Sequence, residues 1–143
     1  MDKNVILSIR GQQAFEQADS DVVELVTEGT MTGEGEDYIL QYQESELTGL
    51  GVTQTTFQIE KGRVTLLRVG QVNSQIVFEE GKRHFSMYDT PFGALTVGID
   101  TRRMKVRLDE TGGEIEISYA IEIDHAVAGE NFVQISVRER DER

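Results

Sequence analysis

In the stretch GGEIEISYAIEID, residues 112–124, large apolar side chains fall on every second position. Ile115, Ile117, Tyr119, Ile121 and Ile123 share one parity, whereas Glu114, Glu116, Ser118, Glu122 and Asp124 share the other. Successive side chains of an extended chain point to opposite faces, while a helix would scatter these isoleucines around its circumference. The segment is therefore expected to be a strand with one wet face. Its apolar face has to be covered by other strands of the same chain.

The remaining residues can supply them. One proline, 14 glycines and many Val, Ile, Thr, Phe and Tyr residues suit strands divided by tight turns. Alternation and turn chemistry predict strands near 4–10, 20–31, 37–46, 52–60, 63–70, 74–80, 83–89, 94–100, 103–109, 114–123 and 131–140. The break at 100–103 is open: a Thr-Arg loop preserves facing, and so does a bulge within one long strand. Residues 11–21, GQQAFEQADSD, read as a loop or short helix. No linker, repeat or low-complexity segment interrupts the 143 residues, which suit one domain. Ten or so strands, each with one apolar face and joined by short hairpins, close most economically into an all-β, antiparallel up-and-down β-barrel or a flattened barrel-like sandwich.

Turn residues set the expected registers. A two-residue loop at Lys61-Gly62 pairs Glu60 with Arg63, Ile59 with Val64 and Phe57 with Leu66. The glycine-first order of Gly81-Lys82 suits a type II′ turn, pairing Phe78 with Phe85 and Ile76 with Met87. A three-residue loop over Pro91–Gly93 pairs Phe85 with Ile99 and Met87 with Val97; the register that sets Phe85 against Gly98 breaks the apolar face. A loop at Thr111-Gly112 pairs Leu108 with Ile115 and Met104 with Tyr119, and sets Arg107 against Glu116. The basic run Arg102, Arg103, Lys105, Arg107 thereby becomes the solvated face of a strand beside an acidic neighbour.

Charge and composition narrow the function classes. Fourteen basic against 26 acidic residues leave a net charge of −12, and Gln12 to Glu60 holds eleven acids without a lysine or arginine. Such a surface repels phosphate backbones and anionic lipid, so nucleic-acid and membrane partners are not expected. No apolar run is long enough for a membrane helix or a signal-peptide core, and cytoplasmic residence is the expectation. With no cysteine there is no thiolate chemistry. TGEGED and TGLGVT contain G-x-G but open no helix after a strand, and read as turns.

Four stretches together resemble a known family. RVG at 68–70, VFEEGKR at 77–83, YDTPFGALTVGIDT at 88–101 and GGEIEISYAIEID at 112–124 are similar to the YwiB-like family of bacterial proteins of unknown function. The most specific part is the series Arg68, Gly70, Tyr88, Thr90, Pro91 and Gly93, and the likeness runs from about Gly33 onward. The resemblance implies a calycin-like, lipocalin-type barrel. It implies no activity, cofactor or catalytic residue.

Candidate chemistry is then read residue by residue. His84 and Ser86 share a strand face, with Glu79 and Asp100 as expected neighbours, but Cβ atoms at i and i+2 lie roughly 6.5–7 Å apart, long for a Ser–His contact. His125 has no spaced ligand partner, and no metal site or cofactor is expected. Tyr38, Tyr42 and Tyr119 are expected to point inward, where a phenol combines an apolar ring with a hydroxyl that needs a partner. A three-residue loop at Gln71–Asn73 pairs Arg68 with Ile76 and puts Arg68 inside, a diagonal step from Asp89. An inward guanidinium has to be paired. It either bridges Asp89 or meets the anionic head of a bound molecule. The leading expectation is a barrel that binds a small apolar or amphiphilic ligand through Arg68, Asp89, Tyr38, Tyr42 and Tyr119. The alternative is an interaction module acting through its acidic surface or a terminal edge strand, and an enzyme ranks third.

Overall fold

Period-two sidedness carries through to three dimensions. The computed structural model describes residues 3–15, 18–44, 53–70, 74–90, 93–124 and 126–140. It contains ten strands: β1 Lys3–Phe15, β2 Ala18–Glu34, β3 Asp37–Gln43, β4 Thr53–Glu60, β5 Arg63–Gly70, β6 Ser74–Phe78, β7 Arg83–Thr90, β8 Gly93–Asp109, β9 Gly112–Ile123 and β10 Ala126–Glu139. They form one antiparallel sheet in the order β6-β5-β4-β3-β2-β1-β10-β9-β8-β7. The chain is an up-and-down meander whose first and last strands pair from Val5↔Glu139 to Ala14↔Glu130. The barrel is nearly closed, and no ladder joins β6 to β7 among the described residues. One end carries the Gly35-Glu36, Lys61-Gly62, Glu80-Gly81 and Glu110-Thr111 turns together with both terminal strands' outer ends; we call it the terminal end. The other, the loop end, carries the connections over 44–52, 71–73, 91–92 and 124–125.

Among the described residues, the core is the inward parity of every strand except β7. On β3, Tyr38, Leu40 and Tyr42 are buried, and on β4 Thr53, Thr55, Phe57 and Ile59. Leu7, Leu40, Ile59, Ile99, Ile115, Ile117 and Ile135 belong to one apolar cluster that fills the middle of the barrel. Glu114 is exposed on the opposite face of the strand that buries Ile115 and Ile117.

Several expected details are corrected. Residues 11–15 and 18–21 are strand, because β1 and β2 run on as a pair past Gly11↔Val23 to Phe15↔Ala18. Chain 94–109 is one bulged strand, with the irregularity between Thr101 and Arg103. The Lys61-Gly62 register holds as expected. The β8–β9 register slides by two residues, to Val106↔Ile115 and Met104↔Ile117, keeping each face intact. Two glycines explain the slide. Gly112 and Gly113 take φ of 125° and 144°, and a Cβ on Gly113 would stand 1.8 Å from the Arg107 carbonyl oxygen. They belong beside the turn, not in it. The β5–β6 register also slides by two, to Leu66↔Ile76 and Arg68↔Ser74, leaving Val69 exposed.

The larger correction concerns β7. Its register sets Phe85 opposite Gly98 and His84 opposite Ile99, so Phe85 lies on the outer face at 54% exposure. The glycine offers a bare patch of backbone that the ring covers: a Cβ on Gly98 would stand 3.1 Å from Phe85 Cε1. The turn before β7 places positive φ at Gly81, its third position, with Lys82 N–H donating to the Glu79 carbonyl at 3.0 Å. That is the reverse of the glycine-first order. With no ladder to β6, β7 turns polar side chains toward the seam instead. Ser86 Oγ donates to the Gln75 carbonyl at 2.7 Å, and His84 Nε2 lies 2.8 Å from Glu79 Oε1. The terminal strands, expected as free edges, pair with each other, and the edges are β6 and β7.

Candidate functional site

Alternation carried across adjacent ladders builds one polar rung near the loop end. Tyr42 pairs with Thr55, Thr55 with Arg68 and Arg68 with Ser74, so four neighbouring strands each contribute one inward side chain. Glu44, two residues past Tyr42, keeps the same parity and is buried. Its backbone N–H donates to the Thr53 carbonyl at 2.7 Å, and its carboxylate accepts the Thr55 hydroxyl at 2.8 Å. Burial, then the charge of the hydrogen-bonded Glu44 carboxylate, push the Tyr42 hydroxyl far above its ordinary range, against the opposing pull of Arg68. Tyr42 is thus a neutral donor at any physiological pH. Its ring stacks on Phe57, centroids 6.4 Å apart.

Within this rung, Arg68 Nε and Ser74 Oγ are buried and have no hydrogen-bond partner among the described residues. Buried polar atoms nearly always find one, because leaving a donor unsatisfied costs about 1–3 kcal/mol.

The other expected site residues divide between places. Tyr38 is buried at the terminal end, where burial and the carboxylates of Glu110 and Asp109 raise its hydroxyl above the ordinary value. It floors a cleft of about 550 Å³ between the Gly35-Glu36 and Lys61-Gly62 turns and residues Met104–Asp109 of β8. Tyr119 packs edge-on against Phe78, centroids 4.9 Å apart, as part of the core. Asp89 pairs through its backbone with Ala94, and its side chain lies outside the described residues, as does His125. The structure therefore brings Tyr42 and Arg68 together and sets Tyr38 and Tyr119 apart from them. Thr55, Ser74 and Glu44 are the members the sequence reading missed. Their signal was parity: Thr55 is in phase with Phe57 and Ile59, and Glu44 with Tyr42.

Glu79 organises the seam. It receives Arg63 Nε at 3.2 Å, Lys82 Nζ at 3.4 Å and His84 Nε2 at 2.8 Å. Burial pushes its carboxyl up, but the bonds to His84 and Lys82 and the Arg63 charge outweigh that and leave it below the usual range. His84 and Ser86 are turned to separate partners. No helix among the described residues is long and apolar enough to cross a membrane.

Ten antiparallel strands in meander order, nearly closed around an apolar middle with a polar rung at one end, define an all-β barrel. A family model for a domain of unknown function, DUF1934, matches residues 7–135. The chain belongs to that family. Among its relatives, the uncharacterized beta-barrel protein YwiB of Bacillus subtilis (strain 168) is 29% identical over 86 residues, which span 60% of this chain and 58% of that protein. The crystal structure of the ywiB protein from Bacillus subtilis shares the fold, with a TM-score of 0.84 at 23% identity, covering 98% of this chain and 94% of that one.

Proposed function

We propose that the barrel binds a small amphiphile whose anionic head lies against Arg68 at the loop end, in the manner of a lipocalin-like carrier. The supporting observation is a pair of buried atoms without a hydrogen-bond partner among the described residues, Arg68 Nε and Ser74 Oγ, on directly opposed residues of β5 and β6. A carboxylate or phosphate head accepts from both at once, which relieves two desolvated donors in a single contact. Tyr42 and Thr55, next along the same rung, donate hydrogen bonds from their hydroxyls to Glu44, which leaves the Arg68 and Ser74 donors for the head. The apolar cluster fills the middle of the barrel, so the ligand tail belongs near the mouth and not along the full axis.

The test is thermal unfolding of the full chain with medium-chain fatty carboxylates and with the matching uncharged alcohols. Ligand at a hundredfold excess over its Kd stabilises by about 2.7 kcal/mol, several degrees of melting temperature. The carboxylates are expected to give that rise, the alcohols much less, and Arg68→Met to abolish it while remaining folded. A wild-type protein indifferent to both series, or a full rise retained in Arg68→Met, overturns the reading.

A further inference from the structure

β8 is twice as long as the strand that covers its seam side. β7 pairs with it over Gly93–Asp100, whereas β9 pairs with it from Val97 as far as Asp109. Past Asp100 no strand among the described residues is laddered to that edge of β8. The bulge after Thr101 decides which backbone groups point that way. Thr101 still faces the seam, taking a bond from Gly81 N–H at 2.8 Å and giving one to the Lys82 carbonyl at 3.1 Å. After the extra residue the parity switches, and the Met104 N–H points to the same side, held by Glu80 Oε1 at 3.2 Å. Backbone groups of an antiparallel strand alternate in direction, so Val106 and Leu108 present their N–H and C=O along this edge as well. No ladder or backbone bond among the described residues uses them. Beside them lies the 550 Å³ cleft, which Tyr38 and Gly62 also line.

We propose that this edge of β8, from Arg103 to Asp109, docks an extended segment of a partner protein in which acidic and apolar residues alternate, added as a further strand. The side chains specify the occupant. Met104, Val106 and Leu108 line the cleft, and Val106 is 37% exposed. Arg103, Lys105 and Arg107 have the other parity, Arg107 also bordering the cleft, and all three are exposed and in no ion pair among the described residues. Both edges of a strand present the same side chains, and the occupied edge shows what fits them. There Lys105 meets Glu116 and Arg107 meets Glu114, while Val106 meets Ile115 and Met104 meets Ile117. A second segment with that Glu-Ile-Glu-Ile pattern finds the same chemistry on the free edge, with main-chain bonds giving affinity and alternate side chains giving selectivity. A second copy fits badly. Two β8 edges brought together set Arg103, Lys105 and Arg107 against their own kind, which destabilises directly opposed pairs. Glu80 guards the first free N–H, and an incoming acidic strand has to displace it.

The probe is a capped synthetic peptide with the sequence of residues 112–120, GGEIEISYA, added to the full-length protein, with amide hydrogen exchange as the readout. Exchange at Val106 and Leu108 is expected to slow several-fold, while amides of the β1–β10 ladder are unchanged. Replacing both peptide glutamates by lysine weakens binding roughly tenfold, and N-methylating the isoleucine between those glutamates abolishes it. Glu80→Ala, an exposed change, tightens binding by freeing the Met104 N–H. A peptide that binds without protecting Val106 and Leu108, or fails to bind at its solubility limit, overturns the proposal. So does protection of those amides in peptide-free protein that grows with protein concentration, which assigns the edge to a second copy. Neither outcome touches Arg68, so this test and the amphiphile test fail independently.

Discussion

At the scale of single residues, the side chains that bridge this barrel's seam are polar ones, most of them clustered on Glu79. Its carboxylate gathers Arg63 from β5, Lys82 from the turn and His84 from β7, and the His84 contact crosses the place where the ladder is missing. The net effect holds its pKa below the ordinary carboxylate value despite burial. A group with a depressed folded-state pKa contributes stability that is present above its unfolded value, near 4.3, and is lost as pH falls through the folded value. Comparing unfolding free energies of wild type and Glu79→Gln from about pH 7 to about pH 3 isolates this one carboxylate from the other acids. Wild type is expected to be the more stable near neutrality, and the difference is expected to shrink as the solution is acidified below the ordinary carboxylate range. Two curves that stay parallel would show that Glu79 makes no pH-linked contribution.

At the scale of elements, β7 and β8 show where a sequence stops specifying its own pairing. Side-chain alternation told β9 apart from a helix without help, because Ile115, Ile117 and Tyr119 have polar residues, Glu116 and Ser118, between them. It could not set the β7–β8 register, because both candidates pair an aromatic with something it can cover. Ile99 offers a side chain, and Gly98 offers bare backbone. Burial decides against the first: Ile99 is 1% exposed and faces inward, opposite His84, and Phe85 is left to shield Gly98 from outside. The Arg68 rung was half legible for a related reason. Parity put Arg68 and Tyr42 inside, but which residue faces Arg68 depends on the length of the loop over 69–73, and loops carry no alternation. The Phe85–Gly98 pair has a measurable signature. Phe85→Ala is expected to destabilise by about 1 kcal/mol, more than an ordinary exposed substitution. Gly98→Ala, made in that background, should be more favourable by roughly 0.5–1 kcal/mol than in wild type, since the new methyl no longer meets the ring. Additive effects in the double-mutant cycle would mean that the ring and the glycine do not act as a pair.

At the scale of the whole molecule, the barrel joins its two ends more firmly than its middle. The terminal strands share ten paired positions, extended by Arg140 N–H donating to the Asn4 carbonyl at 2.9 Å. Lys3 adds a clasp, reaching the Glu110 carbonyl at 2.6 Å and Glu139 at 2.9 Å, which ties β1 to β10 and to the β8–β9 turn. Between β6 and β7 the described residues provide a turn, the Glu79 cluster and the Ser86 hydroxyl. β6 has five residues and a ladder on one side alone. Local opening follows the pairing a segment must give up, so the two edges are expected to open well below the free energy of global unfolding, and β1 and β10 only with it. Native-state hydrogen exchange in low denaturant separates these cases. Amides bonded in the β5–β6 and β7–β8 ladders should exchange through openings that depend little on denaturant, while those of β1 and β10 follow the denaturant dependence of global unfolding. If amides on both sides of the seam were as protected as those of the terminal pair, the side-chain contacts would be as strong as a full ladder, and the barrel would have to be regarded as closed.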